Sequence, residues 1–470
     1  MGTISSAFSM MSQALDADQA ALNIVANNVA NANTTGYTEE TPNWQENQPI
    51  VIDGVSYGSG VTETGLTSVR DSVLVARLDQ QQQLASASAS RLTALNTIQA
   101  LFTPDSGSSS STAGDIGSDI TSFFSSLSSL EANPTVSSDR QAVLSAAKTL
   151  AGDISNAAGS LNSQRSALDQ EAAGVASQVN SLTTTIAQLN QQIQSSSPNG
   201  DAGTLEDQRD EDVSQLSQLI GINQVTTENN GLSITTTSGQ LLVSEGASYQ
   251  LTTGTVDGVT DFFVGGTDIT SQLASGGGSL GGYLTARDVD IPGALSSLDQ
   301  LAYSISTSVN AQNNAGTDLD GDNGSAGNIF SEPTEIAGSA ASMSVVMTDP
   351  NHIAAAGLGD GTGNNSNATA MADLANQSIV DGETPSNYYS NFVSALGSTV
   401  SGVQTENTAQ NASVTQLQTQ NSALSGVNLN DEASSMTTLE RSYQAASQVF
   451  TMLNTIMASA LNLGDQTAVS

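Results

Sequence analysis

The chain has 470 residues, 37% apolar, 4% aromatic and 12% charged, and its 46 acidic residues against 9 basic ones leave a formal net charge of -37. Phosphate backbones and anionic lipid surfaces are bound by clustered Lys and Arg, so this balance excludes nucleic acid and anionic membrane as principal partners. The length admits roughly two to four domains, and with aromatics scarce their bulk has to come from Leu, Ile, Val and Ala.

Cysteine is absent, which excludes disulfides, thiolate zinc sites and cysteine nucleophiles. His352 is the only histidine. A His-based triad can form only around it, and a multi-His metal site not at all. No apolar run approaches the roughly 18 to 20 residues of a membrane span, and Met1 to Gln13 lacks the basic and continuously apolar regions of a cleaved signal. Neither membrane insertion nor signal cleavage is expected, and any enzyme chemistry would rest on carboxylates.

In chain order, Ile4, Phe8, Met11, Leu15, Leu22, Val25 and Val29 recur at alternating steps of four and three, interrupted at Asp18. The spacing predicts an amphipathic helix of coiled-coil period. Asn27, Asn28, Asn31, Asn33, Thr34, Thr35, Gly36 and Tyr37 follow. Asn and Gly bond local backbone and tolerate left-handed conformations, so the helix stops near Asn33. From Thr41 to Thr67, Pro42, Pro49 and several glycines separate short alternating pieces such as Ile50 to Ile52 and Val55. Hairpin-like extended structure is expected, with Trp44 as a packing anchor. A second helix runs from about Asp71 to Leu101, before Pro104 and a low-complexity Ser108 to Ser111 loop.

Within Ala142 to Ile193, the positions Leu168, Ala172, Val175, Val179, Leu182, Ile186, Leu189 and Ile193 repeat the heptad and make a second coiled-coil candidate. Pro198 and Gly200 mark a turn into a helix from Thr204 to Ile220. The pattern then alternates: Leu232 to Thr237, Gly239 to Val243 and Asp261 to Val264 are cut by Ser-Gly and Asp-Gly pairs, the signature of a small β domain closed by Gly276 to Gly282. Tyr283 to Asn313 reads as helix and Gly316 to Gly363 as a Gly and Asp rich loop. The last helix carries Met436, Leu439, Tyr443, Ala446, Phe450, Leu453, Met457 and Ala460 at unbroken heptad spacing. The expected fold is mostly α with a small β domain: a terminal helical domain from 1–40 and 429–470, a central domain of long helices from 41–220 and 279–428, and the β domain from 221–278.

Three polar clusters are weighed as chemistry. Asp318, Asp320 and Asp322 have the spacing of a calcium loop, but Asn323 replaces its glycine and Ile329 its final Glu, so the stretch reads as a solvated turn. Glu206, Asp207, Asp210, Glu211 and Asp212 around Arg209 read as local ion pairs on a wet helix face. His352, after Asp349-Pro350, reads as an exposed turn residue. No catalytic residue, cofactor or metal ligand is assigned.

An uncapped heptad stripe at each end needs a covering partner. Two readings stand: the ends close an intramolecular bundle, or they mediate self-assembly into a ring or filament. The run Leu22-Asn-Ile-Val-Ala-Asn-Asn-Val-Ala-Asn-Ala-Asn-Thr-Thr-Gly-Tyr37 resembles the N-terminal signature of bacterial flagellar rod, hook and hook-associated proteins. Leu205 to Asp210, Gly281 to Asp288, Gln312 to Gly324 and Gly426 to Glu432 are similar to the hook-associated branch of that family over nearly the whole chain.

The resemblance implies a structural protein and not an enzyme. Such a protein is exported unfolded through the flagellar type III apparatus with a chaperone. It assembles at the distal end of the hook in a ring or helical layer, where it adapts hook to filament. Its implied partners are further copies, the hook protein and the next hook-associated protein. Another axial rod or hook protein is the alternative, ahead of a secreted carboxylate enzyme or calcium-dependent adhesin. The expected assembly residues are Phe8, Met11, Leu15, Leu22, Val25 and Val29 on the first helix, and Met436, Leu439, Tyr443, Phe450, Leu453 and Met457 on the last. Asn27, Asn28, Asn31, Gly36 and Tyr37 set the angle at which the chain leaves the terminal layer. Glu39 departs from the family, whose members often carry Arg there. A further outer β domain, inserted by longer relatives after Ile329-Phe330, is expected to be absent.

Overall fold

The computed structural model describes residues 2–34, 36–52, 54–102, 115–196, 201–256, 258–324 and 326–467; the Ser108 to Ser111 loop lies outside them. Helix α1 (Gly2–Asn31) ends in the Asn-rich segment. Strand β1 (Glu40–Glu46) follows, then β2 (Ile50–Ile52), β3 (Val55–Tyr57) and β4 (Val61–Ser68). β1 pairs antiparallel with β4, and the chain between them folds back as the β2–β3 hairpin. Trp44 is 38% exposed on this ribbon. It lines an open cavity and belongs to neither apolar core, so it is not the packing anchor expected.

Helix α2 (Ser72–Ala100) starts where Asp71 accepts hydrogen bonds from the Val73 and Leu74 amides, satisfying donors that the first turn leaves free. Next come α3 (Ile116–Ala132) and the 60-residue α4 (Ser137–Ser196), which at 1.5 Å per residue is about 90 Å long. Its heptad stripe is covered by α5 (Thr204–Leu219) and by strands rather than by a second long helix. One antiparallel sheet holds β5 (Ile222–Thr226), β6 (Leu232–Thr236), β7 (Leu241–Ser244) and β8 (Ala247–Ser248). A second holds β9 (Leu251–Val256), β10 (Val259–Val264) and β11 (Thr267–Asp268). Their apolar faces, with Ile234, Val243 and Phe262, share one core with Val175, Val179 and Ile186 of α4.

The glycine run expected to close the β region is largely helical, divided between α6 (Thr270–Gly276) and α7 (Gly278–Thr285). Its glycines allow close packing: a Cβ on Gly282 would lie 2.0 Å from Ser90 Oγ and 2.3 Å from the Ala87 carbonyl of α2. A π-helical turn, Ala286–Asp290, leads into α8 (Ile291–Asn314). It presents buried Arg287 to Asp169 of α4 (2.6 Å), to Asp288 and to the Thr260 carbonyl of β10.

The Gly and Asp rich segment contains β12 (Gly316–Thr317), α9 (Ser339–Ser342) and β13 (Ala356–Gly357), β12 pairing with β13. The Ser331 amide donates to the Ser344 carbonyl at 2.8 Å. The chain therefore closes on itself where an outer domain would be inserted. Helices α10 (Ser366–Asp373), α11 (Pro385–Ser425) and α12 (Leu429–Thr467) complete the fold. α11 runs antiparallel to α2, with Asn407 on Ser88 and Gly397 beside Gln99. A second core, with Leu95, Phe123, Leu144, Leu298 and Phe330, fills the space between α2, α3, α4 and α8.

Candidate assembly interface

The two chain ends meet in an antiparallel helix pair. Phe8 of α1 packs on Phe450 of α12 with ring centroids 4.3 Å apart, and at the other end Asn28 meets Glu432. On α12 the half-buried residues include Met436, Leu439, Ala446, Phe450, Leu453 and Met457, while Tyr443 is 39% exposed. The Ala460 side chain lies outside the described residues. On α1, Ile4, Phe8, Met11, Leu15 and Leu22 are half-buried and Val25 is buried, but Val29 is 40% exposed. Asp18 interrupts this stripe with a buried Oδ2 that has no hydrogen-bond partner among the described residues.

A second stripe on α1 escaped the sequence reading. Ala17, Ala21, Ile24 and Asn28 are the buried positions, and the β1–β4 ribbon lies against α1, where Asn47 donates to Gln13 Oε1 at 3.0 Å. Its i, i+4, i+7 spacing was visible in the sequence, but the two small alanines carry little apolar weight.

Asn28 is the hinge of the interface. Its Nδ2 donates to the Glu40 carbonyl (2.9 Å) and to Glu432 Oε1 (2.7 Å), while its Oδ1 accepts from the Glu40 amide (3.0 Å) and the Tyr37 hydroxyl (2.8 Å). One side chain thus joins α1, the exit segment, β1 and α12, using both donors and both lone pairs of the amide. Burial and the carboxylates of Glu40, Asp207 and Glu432 push the Tyr37 hydroxyl pKa upward, keeping it a donor. Asn31 Nδ2 donates to Asn27, and Asn27 Nδ2 to Tyr37, which tightens the turn that Gly36 makes at φ 80. Glu39 donates its amide to the Ser425 carbonyl at the end of α11. Burial, then Glu432 and Asp431, raise the pKa of its carboxyl. Beside this knot a cavity of about 410 Å³ opens, walled by Ile24, Trp44 and Leu439.

The acid run on α5 anchors the exit segment from below. Arg70 pairs with Glu206, with Asp207 at 2.5 Å and with Asp210 at 3.0 Å. Asp207 also accepts from the Thr38 amide (3.0 Å) and hydroxyl (2.8 Å), and Asp201 from the Ser68 hydroxyl (2.9 Å). This corrects the wet-face reading. Asp207 and Arg209 are buried, and Arg209 turns inward to Asn190 and the Asn230 carbonyl. Arg70, more than 130 residues away in sequence, supplies the countercharge, and no local pattern announces it.

The Asp318 loop is also less solvated than expected. Asp318 is fully buried and accepts from the Asp320 and Asp322 amides and from His352 Nδ1 at 2.8 Å. Those bonds hold its carboxyl below the usual range against the opposing effect of burial, and Asp318 in turn raises His352. His352 is a half-exposed partner of a buried acid, and the turn is built from internal bonds.

Comparison with known proteins covers the same regions. Residues 105–330 match the family model of the flagellar hook-associated protein FlgK helical domain. Residues 11–38 match that of the flagella basal body rod protein, and 418–463 that of the flagellar basal body rod FlgEFG protein C-terminal. The chain is 26% identical to flagellar hook-associated protein 1 of Salmonella typhimurium over 96% of its length and 98% of the relative's. It is 26% identical to the protein of that name from Bacillus subtilis, over 96% of each chain. The Salmonella alignment spans 553 residues, so that relative carries stretches absent here. The flagellar hook junction protein FlgK from Burkholderia pseudomallei has a similar fold, with a TM-score of 0.65, 20% identity, and coverage of 74% of this chain and all of that one. The rod-type signatures at both ends, the helical-domain match between them and the near full-length relatives place this chain in the flagellar hook-associated protein 1 family.

Proposed function

We propose that the chain adapts hook to filament by assembling through its α1–α12 pair, with the Asn28 knot fixing the angle between that pair and the body. As a family member it is a structural component of the flagellum at the hook–filament junction, not an enzyme. Among the described residues no helix is long and apolar enough to cross a membrane.

One observation carries the mechanism. The two termini, 404 residues apart at their Asn28–Glu432 contact, form one layer that leaves Val449, Met452 and Ile456 facing solvent. Apolar side chains in such a row favour a further protein surface over water. The partners that fit are further copies in a ring or helical layer, the hook protein below and the next hook-associated protein above. An export chaperone would cover the same seams before assembly. Absence of Cys suits passage of an unfolded chain through an export channel, since no disulfide has to be broken.

Immunogold labelling of isolated flagella tests the placement. Label confined to the boundary between hook and filament is expected. Label spread along the hook or within the rod would assign the chain to another axial position.

A further inference from the structure

Two isolated charges stand on opposite outer faces of the terminal pair. Arg441 is the only Lys or Arg in residues 1–40 and 429–470. It is exposed and has no salt-bridge partner among the described residues. At about 100° per residue it shares a face with Ala445, Val449, Met452 and Ile456. These are exposed, three of them by 42%, 62% and 48%, and lie roughly a third of a turn around α12 from the Phe450 seam. Arg441 thus heads an unpartnered apolar stripe.

The outer face of α1 is different in kind. Ser5, Ser9, Ser12, Asp16, Gln19 and Asn23 follow one another at steps of four and three, and Asp16 is the only charge among them. It too is exposed and unpaired among the described residues. The antiparallel register that sets Phe8 beside Phe450 and Asn28 beside Glu432 brings Asp16 level with residues 442–444. Arg441 is therefore within about one helical turn of its height.

We propose that Arg441 of one copy pairs with Asp16 on α1 of a second copy, and that this contact sets the register in which the apolar stripe of α12 is covered. The proposal rests on the assembly reading above and names the partner of its open face. Charge complementarity selects the occupant. α1 carries two charges, Asp16 and Asp18, both negative, so the lone cation of the terminal layer meets only acids there. Because both groups sit at one height, neighbours related by a small axial shift bring them together, whereas within one chain they point away from each other. An exposed pair contributes about 1 kcal/mol or less, so its role is register, with burial of the stripe supplying the attraction.

The cysteine-free chain allows a direct test. Full-length protein carrying Ser12→Cys and Ala445→Cys, one turn from Asp16 and Arg441 with both charges retained, is expressed in flagellated cells, and isolated flagella are oxidised. The expected result is a ladder of disulfide-linked multimers on a non-reducing gel. Adding Arg441→Glu should weaken that ladder by up to about fivefold, and adding Asp16→Arg as well should restore it. Monomers with an internal cross-link, no cross-link in flagella that contain the protein, or a ladder indifferent to Arg441→Glu would each overturn the proposal. Phe450→Asp separates this outcome from failure of the assembly reading. If it abolishes incorporation while Arg441→Glu leaves the ladder unchanged, the seam stands and the register contact does not; if Phe450→Asp also incorporates normally, both fall.

Discussion

Asn28 shows how a single amide carries a joint between elements. Its four hydrogen bonds are all made within a buried site, and a buried polar group left unpaired costs about 1–3 kcal/mol. Asn28→Asp preserves shape but removes two donors and sets a carboxylate against Glu432 and the Glu40 carbonyl. We expect a loss of about 3–5 kcal/mol at pH 8, concentrated at the joint. Trp44, the only tryptophan, lines the adjoining cavity, so urea unfolding followed by its fluorescence reads this region. A variant with the wild-type midpoint at pH 8 would show that the knot does not hold the joint.

Among elements, the close approach of α7 to α2 depends on a missing side chain. Gly282→Ala would place a Cβ 2.3 Å from the Ala87 carbonyl and 2.9 Å from the Arg91 amide. Backbone on both sides prevents cheap relief, so a loss of about 1–3 kcal/mol is expected, visible as a lowered midpoint in a thermal melt; an unchanged midpoint contradicts this packing. The terminal pair differs from these inner helices. α12 keeps much of its surface in solvent and contributes no residue to either core, and elements with little buried surface open most readily. Limited proteolysis of purified protein should remove both ends first and leave a core of roughly residues 50–420. Ends as resistant as the core would contradict it.

The elements that were legible in sequence are those fixed by local rules. The Asp71 cap, the helix start after Gly203, the alternation of the β region and the heptads of α12 each have a short-range cause. The relations between elements were not legible in the same way. The Arg70 clamp, the Asn28–Glu432 bond and the His352–Asp318 pair join residues 136, 404 and 34 positions apart, and no periodicity encodes such partners. The glycines at 281 and 282 were read as the close of the β domain because close helix packing and a chain turn call for the same residue. The Asn-rich turn was legible as a helix stop, but the buried role of Asn28 within it was not.

For the whole molecule, the acid excess makes stability depend on pH in a definite direction. Burial raises Asp79 to about 7, burial with the neighbouring Asp153 raises Asp119 to about 7, and burial raises Asp210 to about 6. Such groups bind protons more tightly folded than unfolded, so between about pH 4 and 7 their contribution falls as pH rises. Asp169, Asp201 and Asp318 are shifted downward by their hydrogen bonds. Their contribution is present above about pH 4 and lost as pH falls through their lowered values. Stability should therefore peak between about pH 4 and 6, and the melting temperature at pH 5 should exceed that at pH 8. Asp79→Asn should narrow the difference, and a higher melting temperature at pH 8 would contradict these shifts.

The central claim is that the seam between the chain ends makes the junction. Its most direct test is Phe450→Asp, which sets a carboxylate against Phe8, 4.3 Å from the ring it replaces. A charge buried without a partner costs several kcal/mol, and an assembly repeats that cost in every copy. Electron microscopy of cells carrying the substitution, with assay of the protein in the medium, should show exported protein and hooks that bear no filament. Filaments of normal length and number on those hooks would contradict the account.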